Sequence, residues 1–488
     1  MKLMYIHGEF TKGNAKEEIE VTDPATEEVL DSVPRGTAED VDVAVKSGKE
    51  AFKSWRKIGA NERTSLLHEV AAKVRRHREE LVRLLTLEEG KPISENDEEL
   101  EWVANTFDYY AELGRHDRGR VIPPGESSQF NFILKEPYGV VGCIVPWNYP
   151  LLLMAWKVAP ALAAGNTVII KPSEITPLTA LYMAEHCLDS LPAGVVNVVT
   201  GFGAETGEPL VKHPDVPVIA FTGSLATGER IASHAAPMMK KLHLELGGKD
   251  ATVIAEDADP ELAAKAVAYA ALLNAGQVCT STERVYIPKP KAKQFTEAII
   301  EHVKSLRLGS GLEPATDVGP MIGDTYRAKI ESHVEDARAR GAQILTGGRR
   351  PKELRKGWFY EPTVLTGVDH SMLIMREETF GPAVPLMEYT SFEDAIELVN
   401  DSPYGLGAVL LSEDPRKIKA FFEDVKAGTI WINDPLTDNY AGPFGGMKYS
   451  GGARELGIEG LDEFRETKHV HWDFHLEDKS YWYPYAKE

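Results

Sequence analysis

Cys279 stands in the run Asn274-Ala275-Gly276-Gln277-Val278-Cys279-Thr280, where small residues let backbone and ligand approach closely. As a thiolate it would attack an electrophilic carbon such as a carbonyl. An isolated cysteine is more often a buried structural residue, and Cys143, in an apolar strand, and Cys187, on an apolar helix face, read that way. Glu245 lies between Leu244 and Leu246, just before Gly247 and Gly248, at the end of an apolar strand. Burial there would raise its pKa towards that of a general base, although a strand-edge carboxylate facing water fits equally well. Pro146-Trp147-Asn148-Tyr149-Pro150 joins a strand to a helix at the carboxyl edge of a sheet, where open α/β sheets bind ligands. The Asn148 amide there can donate to a developing oxyanion, or serve only as a turn residue.

A second group of residues suits a dinucleotide. The strand ending at Ile170 runs into Lys171-Pro172-Ser173-Glu174. Lys171 can meet a ribose hydroxyl or a phosphate. Glu174 can accept from both hydroxyls of an adenosine ribose and would repel a 2′-phosphate, which favours NAD over NADP. Phe221-Thr222-Gly223-Ser224-Leu225-Ala226-Thr227-Gly228 passes from strand through a glycine turn into a helix, whose first amides suit a pyrophosphate. Gly201-Phe202-Gly203-Ala204-Glu205-Thr206-Gly207 imitates a dinucleotide fingerprint, but its third glycine comes one residue late, so it reads as a turn near the cofactor. His469, His471 and His475 lack a thiolate or a well-spaced carboxylate, and no metal site is expected.

The elements that must position these groups follow from periodicity. Val41–Trp55, Glu62–Glu88 and Asp97–Leu113 read as amphipathic helices, with Gly90 and Pro92 ending the second. Gln129–Lys135 alternates Phe130, Phe132 and Leu134 with polar residues and reads as a strand, an arm that packs on another chain. From Gly139 onward, short apolar strands alternate with helices. Strands are expected at Val140–Val145, Thr167–Ile170, Val195–Val199, Val218–Phe221, Lys241–Leu246, Thr252–Ala255, Arg284–Ile287 and Thr429–Asn433. The intervening helices are Leu151–Ala164, Pro177–Ser190, Thr227–Ala235 and Glu261–Asn274. That alternation specifies an α/β fold with parallel sheets covered on both faces. A chain of 488 residues exceeds one ordinary core, so two lobes are expected. A net charge of −21 disfavours phosphate backbones, so no nucleic-acid partner is expected. Three cysteines form no disulfide framework, and neither a signal peptide nor a membrane span is apparent. A cytoplasmic protein is the default expectation.

The ordered set Pro-Trp-Asn-Tyr-Pro, Lys-Pro-Ser-Glu, Phe-Thr-Gly-Ser, Leu-Glu-Leu-Gly-Gly-Lys, Gly-Gln-x-Cys, Glu-Glu-Thr-Phe-Gly-Pro and Pro-Phe-Gly-Gly resembles the aldehyde dehydrogenase superfamily over residues 20 to 470. The resemblance implies Cys279 as nucleophile, Glu245 as general base, and Asn148 with the Cys279 amide as oxyanion hole. It assigns Val145, Pro146, Trp147, Lys171, Ser173, Glu174, Gly203, Phe221, Gly223, Ser224, Glu378 and Phe380 to NAD. It implies a Rossmann-like cofactor domain (residues 1–117 and 138–248), a catalytic domain (249–447), and a bridging arm with the C-terminal tail (118–137 and 448–488). A homodimer or homotetramer is also implied. The activity implied is NAD-dependent oxidation of an aldehyde to an acid through a cysteine thioester. The alternatives are a CoA-acylating relative and a non-catalytic binding protein on the same fold.

For the substrate pocket the resemblance points to Tyr149, Trp156, Thr280 and Phe444. Tyr149 and Trp156 resemble the aromatic box of the betaine- and aminoaldehyde-oxidising branch, as does Phe107-Asp108-Tyr109-Tyr110-Ala111-Glu112. Two positions depart from that branch: Phe444 replaces its Trp, and Trp102 lies where an acidic residue would face an amine. Both departures lean towards a less polar, aromatic or long-chain aldehyde. The aromatic tail after Val470 extends past the usual family end and is expected to pack on a surface or a partner.

Overall fold

A computed structural model describes residues 1–116, 119–483 and 485. The expected boundary between residues 117 and 118 lies outside the described residues. Two seven-stranded sheets organise the fold. In the first, Lys241–Glu245, Val218–Thr222, Val140–Ile144, Thr167–Lys171 and Val196–Val198 lie parallel in that spatial order. Side-chain alternation explains the cover on both faces. Val141, Cys143, Val168, Ile170, Val218 and Ala220 enter one core, whereas Val140, Ile144, Ile169, Ile219 and Phe221 enter another. Residues near the amino terminus extend this sheet: Met4–Ile6 pairs antiparallel with Val196–Val198 and with Glu9–Thr11, an edge not foreseen from the sequence.

The second sheet orders Gln343–Thr346, Thr363–Thr366, Ala383–Tyr389, Thr282–Pro288, Asp250–Ile254, Gly407–Leu411 and Thr429–Ile432, parallel except for its first pair. A third sheet is antiparallel: Arg465–Asp473 pairs along its length with Gln129–Pro137, which pairs with Gly119–Ile122. Its Val121, Phe130, Leu134 and Trp472 are exposed, as are Phe474, Tyr481, Trp482, Tyr483 and Tyr485 beyond it. His469 and His471 are also exposed on this sheet.

Local sequence placed most elements, with informative differences. The single helix expected over Glu62–Glu88 is two, Ala60–Arg76 and Arg78–Glu89. His77 leaves the helical region (φ −97, ψ 17); its ring stacks on His186 and its Nδ1 lies 3.1 Å from the Tyr182 hydroxyl. Gly90 does end the second of these, at φ 87. The helix expected to begin at Thr227 begins at Leu225, because Ser224 is its cap, with Oγ accepting from Thr227 N at 3.4 Å. Among the described residues, no helix is long and apolar enough to cross a membrane.

Candidate active site

Cys279 follows a helix that stops early. The helix Pro260–Leu272 ends two residues before the expected Asn274. Asn274 and Ala275 then adopt left-handed conformations (φ 49 and 54), a strained arrangement for residues with a Cβ. Side chains hold it in place. Asn274 Nδ2 donates to Glu89 Oε1 (3.1 Å) and to the Asn148 carbonyl (3.0 Å), while its backbone N–H donates to Glu95 Oε2 (2.9 Å). Gln277 Nε2 donates to the Asn274 carbonyl (3.0 Å), and Gln277 Oε1 accepts from Ile322 N (2.9 Å). Gly276 therefore does not end the helix. It admits Gly381, whose carbonyl would lie 2.3 Å from any Cβ at that position. The turn delivers a half-buried Cys279 thiol, while Cys143 and Cys187 are fully buried.

Glu245 ends its strand inside the protein. It is buried, and among the described residues neither carboxylate oxygen has a nitrogen or oxygen partner, the Cys279 thiol being its hydrogen-bonding neighbour. Burial, then the charge of Glu455, pushes its pKa well above the usual carboxylate range, while Lys157 and the adjacent Cys279 thiol pull it down. Burial, then Glu245, raises the Cys279 thiol well above its ordinary value. The resting site therefore holds a neutral thiol beside a carboxyl of high proton affinity. Asn148 is buried and donates through Nδ2 to the Gln277 carbonyl (3.0 Å), which orients its amide beside the cysteine turn.

Two cavities meet at this point. The first, about 1190 Å³, is walled by all twelve residues expected at the cofactor: Val145, Pro146, Trp147, Lys171, Ser173, Glu174, Gly203, Phe221, Gly223, Ser224, Glu378 and Phe380. Lys171 Nζ pairs with Glu174 Oε2 at 3.0 Å. Trp147 meets Phe380 edge-on and donates from Nε1 to the Tyr326 hydroxyl (3.1 Å). Glu378 Oε1 accepts from Gly248 N (3.1 Å), and burial followed by the Glu283 charge raises its pKa to about 7. The paired glycines permit this closeness: a Cβ on Gly247 would lie 2.5 Å from Glu378 Oε1, and one on Gly248 2.4 Å from the Cys279 carbonyl.

The second cavity, about 760 Å³, is walled by Tyr149, Trp156, Thr280 and Phe444, the four residues expected at the substrate, together with Trp102, Tyr269 and Leu436. Trp156 and Phe444 pack with ring centroids 5.0 Å apart. Among the described residues, Cys279 alone lines both cavities.

Several residues were not foreseen. Glu283 receives the N–H groups of Thr379 and Phe380, each at 2.7 Å, and the Lys249 ammonium at 2.6 Å, so it fixes the loop that carries Glu378 and Phe380. The buried Lys157, Glu455 and His243 behind Glu245 also escaped notice. Charged residues inside apolar runs, as at Lys249 and Lys157, were the available signal, because a buried charge requires a partner. No group of three or more His, Cys, Asp or Glu among the described residues could hold a metal ion.

The sequence pattern of the Aldehyde dehydrogenase family matches residues 10–470. A chloroplastic aminoaldehyde dehydrogenase of Arabidopsis thaliana is 41% identical, covering 96% of this chain and 95% of that protein. A peroxisomal aminoaldehyde dehydrogenase of Malus domestica is 39% identical, covering 99% and 97%. The crystal structure of betaine aldehyde dehydrogenase from Staphylococcus aureus in complex with NAD+ superposes with a TM-score of 0.96 at 39% identity, covering 99% of this chain and 96% of that one.

Proposed function

This chain belongs to the aldehyde dehydrogenase family, and we propose that it oxidises an aldehyde to a carboxylic acid with NAD as hydride acceptor and water as the final nucleophile. The meeting of two cavities at Cys279 is the observation that carries this reading: one sulfur reaches both a cofactor-sized cleft and an aromatic-walled pocket.

The larger cleft fits a dinucleotide. Ser224 and Thr227, at the amino terminus of the helix Leu225–Ala235, line it, a position that suits a pyrophosphate. The Lys171–Glu174 pair suits ribose hydroxyls, and the Trp147 and Phe380 rings offer flat apolar contact. A Cβ on Gly203 would meet nothing within 4 Å, so that wall stands open.

Cys279 loses its proton to solvent, and its sulfur bonds to the aldehyde carbon as the carbonyl π bond opens. The negative charge that moves to the aldehyde oxygen is met by the Asn148 amide and the Cys279 N–H. NAD in the cleft supplies the acceptor for the hydride that the adduct carbon gives up, which leaves the acyl group on Cys279 as a thioester. Glu245 then takes a proton from water, whose oxygen attacks the thioester carbon. The acid departs, and the sulfur regains a proton. We also infer that residues 1–117 and 138–248 form the cofactor domain, that 249–447 form the catalytic domain, and that the exposed face of the three-stranded sheet joins copies into a homodimer or homotetramer.

The test is product analysis with aldehyde, NAD and CoA together. NADH and free acid should form one for one, and acyl-CoA as the product would overturn the hydrolytic reading.

A further inference from the structure

We propose, building on that reading, that Glu283 is a positioning residue for hydride transfer, because it ties the loop of Glu378 and Phe380 to the segment that carries Cys279. Thr282–Pro288 begins three residues after Cys279 and lies parallel to Ala383–Tyr389, which begins three residues after Phe380. Parallel neighbours are entered from the same edge of a sheet, so the cysteine turn and the loop of Phe380 arrive side by side. Glu283 joins them: its Oε1 accepts from Phe380 N and its Oε2 from Thr379 N, each at 2.7 Å. Phe380 needs that hold. It is left-handed (φ 56), a strained conformation for a bulky residue, and it lines the cofactor-sized cleft. Glu378 stands equally close to the nucleophile. Gly248 N–H donates to Glu378 Oε1, and a Cβ on Gly248 would lie 2.4 Å from the Cys279 carbonyl.

The clamp is buried and its charge is answered. Lys249 Nζ lies 2.6 Å from Glu283 Oε2 and also donates to Thr379 Oγ1 at 3.2 Å. His333 Nδ1 lies 3.1 Å from the same hydroxyl, and its helix, Asp324–Ala339, brings Tyr326 and Lys329 to the cleft. Glu283, Lys249 and Thr379 line neither cavity, so they act through Glu378 and Phe380. In the proposed reaction the adduct carbon gives up a hydride, with both electrons of its C–H bond, to NAD as the oxyanion closes to a carbonyl. That step is sensitive to distance, and Glu283 fixes the cleft wall against the sulfur that holds the adduct. An amide cannot replace it. Gln offers one acceptor oxygen, and its NH2 would face a loop N–H that also needs an acceptor.

The experiment compares the wild type with Glu283→Gln. In the cofactor-free enzymes, the peptide covering residues 376–383 should exchange its amide hydrogens faster in the variant. With saturating NAD, and with whichever of benzaldehyde, butanal and 3-aminopropanal the wild type oxidises fastest, the NADH burst should slow at least about tenfold, since a misplacement of about 1 Å costs about 10²-fold. Its deuterium isotope effect, read with the formyl-deuterated aldehyde, should be at least as large as in the wild type. The dissociation constant for NAD, read by tryptophan quenching, should change less than the burst. Unchanged exchange, an unchanged burst at saturating NAD, or a slowed burst with a smaller isotope effect overturns the proposal. Should the unpaired Lys249 unfold this variant, Glu283→Gln with Lys249→Met removes both buried charges and gives the same readings. A wild type that forms NADH with none of these aldehydes would instead remove the proposed function, and the reading of Glu283 with it.

Discussion

Lys157 and Glu455, 298 residues apart in the chain, form an ion pair that is fully buried behind Glu245. Lys157 Nζ also donates to Thr222 Oγ1 at 2.6 Å, and Glu455 Oε1 lies 3.1 Å from His243 Nε2. Burial raises the pKa of Glu245 most, and the pair adjusts it further, since Glu455 raises it and Lys157 lowers it.

Removing the Glu455 charge should therefore make Glu245 a base at lower pH. In Glu455→Gln the acidic limb of the kcat profile should move to lower pH than in the wild type. A shift in the other direction would contradict this electrostatic assignment. The variant should also lose about 3–5 kcal/mol of stability, because Lys157 is left buried without its counter-charge; thermal unfolding measures this.

Glu245→Gln separates the two halves of the reaction. A fast first release of NADH should precede turnover slowed by about 10²–10⁴-fold, the usual worth of a general base. Stopped-flow absorbance reads both phases. Loss of the fast phase would mean that Glu245 is needed first to deprotonate Cys279.

Cys279→Ala should bind NAD and lose turnover. In the wild type, Cys279 should be the thiol that iodoacetamide modifies, and slowly at neutral pH, because burial and acidic neighbours keep it protonated. Cys143 and Cys187, buried with their thiols pushed up to about 12, should react only on unfolding. Peptide mapping identifies the site.

Glu174 tests the proposed preference for NAD. In Glu174→Ser the preference for NAD over NADP should narrow, because the carboxylate that would face a 2′-phosphate is gone. Kinetics with each cofactor at equal concentration decide the point, and a wild-type preference for NADP would rule out the assigned position.

Glu378 gives a stability prediction with a definite sign. Its pKa rises from 4.5 to about 7 on folding, chiefly through burial. The folded state thus binds more protons than the unfolded state between those values, and stability falls as pH rises through that window. Glu378→Gln keeps an oxygen for Gly248 N and removes the titration. Its melting temperature relative to wild type should rise from pH 4.5 to pH 7 and level off above. The full difference is about 3 kcal/mol.

Residue types and their spacing were enough to specify the α/β class, the strands at Val140–Ile144 and Val218–Thr222, and the turn at Ser224. These depend on alternation, caps and glycine turns, which operate over a few neighbouring residues. The same local signals marked Cys279, Glu245 and Asn148, and every residue expected at the cofactor lies on one cleft. Local periodicity could not reveal the break at His77, because its ring partners, Tyr182 and His186, lie on another helix.

Only the tertiary structure paired Lys157 with Glu455, Lys249 with Glu283, and Tyr440 with Trp102. A charge can be recognised as out of place from its neighbours in sequence. Which charge answers it, or whether it is left to face a cavity, depends on where the chain returns after hundreds of residues, and packing of the whole core decides that.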